Sequence, residues 1–245
     1  MKKSLKMAAI ILLAGSLSAP AAFAQNGNVK ESLVALGDSI PFGYNLGQNN
    51  RNPAKTAYPY LIGEEDDLRV RNLGIPGWQT DQLLAALQSD QKYRQAIIHA
   101  DYVAVTIGNN YLLQILLETG AKSGGNQDLF NLLLQQKLAS SDVFANLLSI
   151  LTQTRALTDA PIVLYNVYNP FQLNDPLHYA ADPILPLING QFAQLASLFS
   201  GVSLADANAA FGNDQAIYVI LRDIHPTAAG QQVLSDIGID ALGLD

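Results

Sequence analysis

Apolar residues along this chain fall into two alternating textures. Short runs rich in Val, Ile and Leu, each closed by Gly, Asn or Pro, recur at 33–36, 70–73, 102–107 and 162–167, with a fainter fifth at 202–205. Such runs read as buried strands. Between them, apolar residues return at helical spacing over about 79–89, 128–138, 142–157, 184–199 and 226–238. Asp142 stands where the N-cap of the third of these helices belongs. Strands alternating with helices predict an α/β fold with a parallel sheet covered on both faces and right-handed crossovers. A flavodoxin-like five-stranded order, 2-1-3-4-5, is the expected topology. Ligands of such sheets sit outside the carboxyl ends of the strands, so a functional motif should directly follow a strand. The leucine-rich helical segment 112–140, after the third strand, is placed to cap that edge.

The first residues change the picture of where the chain works. Lys2, Lys3 and Lys6 precede an apolar stretch at 7–17, and Ala22-Phe23-Ala24 reads as a small-x-small cleavage site. Residues 1–24 therefore read as a secretory signal peptide, with a retained N-terminal anchor as the alternative. The expected product is a secreted domain, residues 25–245, extracellular or periplasmic, with no stable membrane insertion after cleavage. Loss of the three lysines moves the formal net charge from −7 to −10. That acidity argues against nucleic acid as a partner. The chain has no cysteine, which excludes a thiol nucleophile, an iron–sulfur cluster and a thiolate zinc site.

Candidate chemistry lies at the strand ends. Gly37-Asp38-Ser39 follows the first strand, and a tight turn there would expose the Ser39 hydroxyl as a nucleophile. Asn72-Leu73-Gly74 closes the second strand, where the Gly74 N–H can face an oxyanion. Gly108-Asn109-Asn110 closes the third, and a side-chain amide at Asn110 can donate to the same charge. Each tripeptide alone is also an ordinary turn. Of three histidines, His225 sits in Asp223-Ile224-His225-Pro226-Thr227 beside a carboxylate, just before the last helix. His99 ends a helix, where a cation is favourable. His178 lies in a proline-rich loop and reads as a surface residue. One histidine with one carboxylate is too few ligands for a metal, so no metal is expected.

Together these pieces resemble the SGNH/GDSL hydrolase family, a serine esterase/lipase family. Ser39 matches its first block, Gly74 the second, Asn110 the third and His225 the fifth, and the likeness runs from Val34 to Gly230. Ala57-Tyr58-Pro59 is similar to the bacterial secreted branch. The resemblance implies a three-layer α/β/α sandwich and hydrolysis of acyl or acetyl esters. It also implies Ser39 as nucleophile, His225 as base, and an oxyanion hole of the Ser39 and Gly74 N–H groups with the Asn110 amide. No cofactor is implied, and the partner is a small-molecule ester. Two positions depart from the family pattern. Tyr111 replaces the acid of G-x-N-D, and Arg222 occupies the acid position of D-x-x-H, with Asp223 one place later. In an extended segment, side chains two apart share a face, and Pro226 favours extension before it. Asp223 is then the expected triad acid. The alternative is a Ser–His dyad with a backbone carbonyl holding the imidazole. Trp78, Leu112, Leu113, Leu116 and Leu117 are candidate walls of an acyl pocket. Two other readings remain open from the sequence: an acyltransferase using the same site, and a carbohydrate- or lipid-binding module that has lost its acid.

Overall fold

The structure, a computed structural model, describes residues 30–47 and 49–244. The signal-peptide reading of residues 1–24 lies outside the described residues. Five strands, β1 (Ser32–Gly37), β2 (Arg69–Asn72), β3 (Tyr102–Thr106), β4 (Ile162–Tyr165) and β5 (Val202–Ala205), form one parallel sheet in the order β2-β1-β3-β4-β5. The expected topology is the observed one. The helices are α1 (Ser39–Phe42), α2 (Tyr58–Glu65), α3 (Thr80–Ser89), α4 (Gln91–Ile98), α5 (Asn109–Ser123), α6 (Gln127–Ala139), α7 (Val143–Arg155), α8 (Pro176–Ala181), α9 (Leu185–Ser197), α10 (Ala207–Phe211), α11 (Gln215–Tyr218) and α12 (Ala228–Leu242).

The period of two along each central strand splits the core. Val34 and Leu36 of β1, with Val103 and Val105 of β3, face α3, α4, α7 and α9. Leu33, Ala35 and Ala104 face the opposite way, onto α2, α10 and α12. β1, β3 and β4 are buried on both faces, so they read as continuous apolar runs. β2 is different. It is an edge strand starting at Arg69, with Arg69 and Arg71 exposed, so the run read as buried at 70–73 is only half covered. Asp142 precedes α7 as expected, but its side chain makes no capping hydrogen bond. At ψ 7° its backbone is not in the extended conformation that aims a cap side chain at the helix N–H groups.

Two steric facts set the edge where the sheet presents its carboxyl ends. Gly37 pairs with Thr106 at the end of β3 and has φ +148°. A Cβ on Gly37 would lie 2.0 Å from the Thr106 carbonyl oxygen. Only a residue without a side chain lets the two strand ends meet there. Gly77 also has a positive φ, +82°, but a Cβ there would meet nothing within 4 Å. Gly37→Ala is therefore expected to cost at least about 3 kcal/mol of stability by overpacking. Gly77→Ala should cost only the left-handed backbone penalty, about 1–2 kcal/mol. Denaturant unfolding of both variants checks this, and equal small losses would mean that the β1 turn yields freely.

Candidate active site

The turn after β1 is short because a helix begins at once. Asp38 caps α1 by accepting from the Ile40 N–H at 2.9 Å, and Ser39 is the first helical residue. The Asp38 N–H donates to the Thr106 carbonyl at 3.3 Å, which ties the turn to β3. Beneath it, the Tyr58 and Thr106 hydroxyls hydrogen-bond at 2.7 Å. Asp38 is fully buried, and the Asn109 amide is 3.4 Å from its second oxygen. Burial pushes the Asp38 carboxyl up to about 7, with the Ile40 N–H and the Asn109 amide pulling it part of the way back.

His225 arrives from a hairpin-like segment before α12. Val219 bridges Pro226, the Ile220 N–H donates to the His225 carbonyl at 2.9 Å, and the Thr227 N–H to the Tyr218 carbonyl at 2.8 Å. The hairpin turns at 220–223, where the Asp223 N–H donates to the Ile220 carbonyl at 2.9 Å and Arg222 has φ +63°. This brings His225 Nε2 to 3.0 Å from Ser39 Oγ across 186 residues of sequence. Nδ1 lies 2.6 Å from Asp223 Oδ1, and the same oxygen accepts the Ile224 N–H at 2.6 Å and the His225 N–H at 3.3 Å. The carboxylate thus curls over its own backbone in an Asx turn. The extended geometry expected for 223–225 is not the one found; the segment bends, and the bend still delivers the acid. Partial burial alone would raise the Asp223 carboxyl. The Asn45 amide, the Ile224 N–H and His225 outweigh it and hold the carboxyl below its ordinary value. Arg222 is exposed at the turn.

The two remaining site residues flank Ser39. Gly74 packs against the nucleophile turn so closely that a Cβ would lie 2.9 Å from the Asp38 carbonyl oxygen. Its N–H is engaged by Asn72 Oδ1 at 3.0 Å. Asn110, in the first turn of α5, lines the same cleft as Ser39 and donates to the Trp78 carbonyl at 2.9 Å. One amide hydrogen is used in that bond, which leaves Asn110 a second for the cleft.

The cleft itself is apolar. It encloses about 710 Å³, counting its open mouth, and runs from Ser39 between the α5–α6 pair and the 167–188 segment. Leu112, Leu113 and Leu116 of α5 line it, as do Leu134 and Leu138 of α6, so the 112–140 segment does cap the edge. Leu117, turned one position further round α5, is 45% exposed and takes no part. Trp78 stacks on Tyr93 at 5.6 Å and packs against the main core, so its ring is no wall of the cleft. Tyr111 is half-buried against that same core. His178 also corrects its reading. It is buried in α8, with Nδ1 2.8 Å from the Phe171 carbonyl and Nε2 3.4 Å from Asp182, because α8 folds it against the cleft wall. His99 caps the C-terminus of α4 and is exposed.

Several residues at the site were not singled out from the sequence. Tyr168 lines the cleft and donates to the Ile224 carbonyl at 2.7 Å, bracing the histidine segment. Asn109 engages Asp38, and Asn45 engages Asp223. Only the unusual density of Asn over 45–50 marked the last of these.

The model of the GDSL-like lipase/acylhydrolase family matches residues 35–233. The chain belongs to that family. The uncharacterized protein YpmR of Bacillus subtilis (strain 168) is 29% identical over 147 residues, 58% of this chain and 54% of that protein. The chain thus spans about half the length of the curated relative it matches. Among solved structures, the lipase Lip_vut3 from a goat rumen metagenome is 26% identical with a TM-score of 0.67, over 86% of this chain and 97% of that one. Phospholipase A1 from Streptomyces albidoflavus NA297 shares the fold at 20% identity and a TM-score of 0.69, over 86% and 99%.

The buried Asp38 makes a pH prediction. Its folded carboxyl titrates near 7 against 3.8 for the ordinary group, so the folded chain keeps a proton that the unfolded chain has released. Its contribution to stability is full below 3.8 and is lost as pH rises through about 7. Asp38→Asn keeps an acceptor for Ile40 and carries no charge. Relative to the parent, the variant is expected to gain up to roughly 2–3 kcal/mol between pH 5 and pH 8, as an upper bound. Urea unfolding across that range tests it. A pH-independent difference would place the Asp38 carboxyl at its ordinary value.

Proposed function

We propose that this protein is a secreted serine esterase that hydrolyses carboxylic esters whose acyl group is an apolar chain. The observation that carries the reading is the continuous contact Ser39 Oγ–His225 Nε2, His225 Nδ1–Asp223 Oδ1, opening onto an apolar cleft. With Nδ1–H donated to a carboxylate, Nε2 is left as the acceptor for the Ser39 proton. Ser39 Oγ attacks the carbonyl carbon as its proton passes to Nε2. The tetrahedral oxyanion forms beside the Ser39 N–H, which has no intrahelical acceptor at the first position of α1, and beside the Asn110 amide. Gly74 joins this hole if Asn72 Oδ1 releases its N–H. Collapse breaks the carbon–oxygen bond to the alcohol, which leaves with the proton from Nε2. Water then attacks the acyl-Ser39 ester, gives its proton to Nε2, and the acid departs as Ser39 is restored. Residues 1–24 support export, since their charged, apolar and small-residue zones follow the order of a signal peptide.

The cleft supports an alkyl rather than a sugar-like acyl portion. Burial of each methylene is worth about 0.8 kcal/mol, close to a fourfold gain in kcat/KM, until the cleft is full. The binding-module alternative drew its support from Arg222 and Tyr111; a carboxylate 2.6 Å from Nδ1 favours the esterase reading over the first of these, and Tyr111 packs against the core away from the Ser39–His225 contact.

Two measurements test the proposal. Ser39→Ala is expected to remain folded, lose labelling by a fluorophosphonate probe and lose about 10³-fold or more in kcat. Asp223→Asn should lower kcat by up to about 10⁴-fold. Retained turnover in Ser39→Ala would sink the nucleophile, and a neutral Asp223→Asn would leave a dyad.

Leu134→Trp probes the chain-length claim. Filling the cleft from α6 is expected to lower p-nitrophenyl octanoate turnover at least roughly tenfold, the worth of two or three buried methylenes. Acetate turnover should persist. An unchanged profile would place the acyl chain elsewhere.

A further inference from the structure

The two oxygens of Asp223 are held very differently. Oδ1 is crowded by the imidazole and two backbone N–H groups of its own segment. Among the described residues, Oδ2 has one donor, Asn45 Nδ2, at 2.6 Å and 178 residues away in sequence. Asn45 lies in the loop after α1, with φ +66°, a left-handed conformation that asparagine tolerates better than most residues. The loop fixes its side chain from the other end. Asn50 Oδ1 accepts the Asn45 N–H at 2.9 Å, and Asn50 Nδ2 donates to Asn45 Oδ1 at 2.8 Å. With Asn45 Oδ1 taken by a donor, its Nδ2 must face the carboxylate, so the amide orientation follows from the network. The preceding residue, Tyr44, lays its ring 5.0 Å from the His225 ring.

We infer that Asn45, locked by Asn50, is a positioning residue for the Asp223–His225 pair. The inference rests on Ser39 and His225 acting as nucleophile and base. In this chain the acid stands two residues before the histidine and hangs from a bend, so its own backbone holds only one carboxylate oxygen. Asn45 supplies the second anchor, fixes rotation of the carboxylate plane and draws off part of its charge. The titratable and charged groups around the imidazole are Asp223, Asp38 at the nucleophile turn, Tyr44 and Tyr168, with Arg222 exposed on the hairpin turn.

Asn45→Gly is the informative change, because glycine keeps the left-handed turn while deleting the amide. It is expected to lower kcat by roughly tenfold to a hundredfold, the worth of a hydrogen bond to a charged group, with KM unchanged for short and long esters alike. The freed carboxylate should favour the imidazolium more strongly, so the acid limb of kcat/KM moves to higher pH. Asn50→Ala should move both quantities the same way by less. In a Ser39→Ala background, the low-field proton resonance of the His225–Asp223 hydrogen bond should be weakened or lost in Asn45→Gly. Loss of stability alone would lower the folded fraction and leave the acid limb in place. Parental kcat, an unmoved acid limb or an unchanged resonance in folded Asn45→Gly overturns the inference. A parent whose Ser39 resists the fluorophosphonate probe instead overturns the esterase reading, and the positioning role with it.

Discussion

The site hangs on the contact between the end of β1 and the end of β3. Gly37 lies against the Thr106 carbonyl with no room for a methyl group, and the Asp38 N–H donates to that same oxygen. On the other side, Gly74 closes against the Asp38 carbonyl. The turn carrying Ser39 is wedged between its two neighbouring strands, so Ser39 can emerge only at the sheet's carboxyl edge. Parallel register makes this possible, since Gly37 and Thr106 are the last paired residues of their strands. Asp38 then serves the turn twice, as the cap of α1 and as the acceptor for Asn109, which explains a buried carboxyl beside Ser39.

The Asp223–His225 contact shows how local backbone geometry decides which carboxylate meets an imidazole. More than one backbone route can bring a carboxylate to Nδ1. In this chain a tight turn with Arg222 in a left-handed conformation sends the Arg222 position outward and bends Asp223 back over its own amides. The bend satisfies Oδ1 locally and leaves Oδ2 to a distant loop. Tyr168 braces the same segment through the Ile224 carbonyl, which joins the histidine to the wall of the apolar cleft. The histidine segment and the cleft wall therefore share a residue.

The cleft is built by the crossovers rather than by the sheet. The long connection from β3 to β4 contributes α5 and α6, and the connection from β4 to β5 contributes α8 and α9. Their leucines and isoleucines close over Ser39, so the cleft combines one polar corner with apolar walls, the usual character of a small-molecule site.

The sequence by itself determined the sheet and its order, and it singled out Ser39, His225 and Asp223 as the candidates that the fold brings into contact. The reason is that each signal is local. A strand buried on both faces must be continuously apolar, as β1, β3 and β4 are, and Gly37-Asp38-Ser39 directly follows the first of them. Short helices were less legible: α4 offers few apolar positions, and α2 begins in the Tyr58-Pro59 phrase that drew notice only as a motif. β2 was read as buried because an edge strand's exposure depends on what does not lie beside it. Only the tertiary structure decided that Leu116 faces the cleft while Leu117 faces solvent, that His178 is buried, and that Trp78 stacks on Tyr93. It alone placed Asn45 on Asp223 across 178 residues. Periodicity tells a residue which face of its own element it occupies. What that face meets is set by the packing of elements distant in the chain, and no local pattern encodes it.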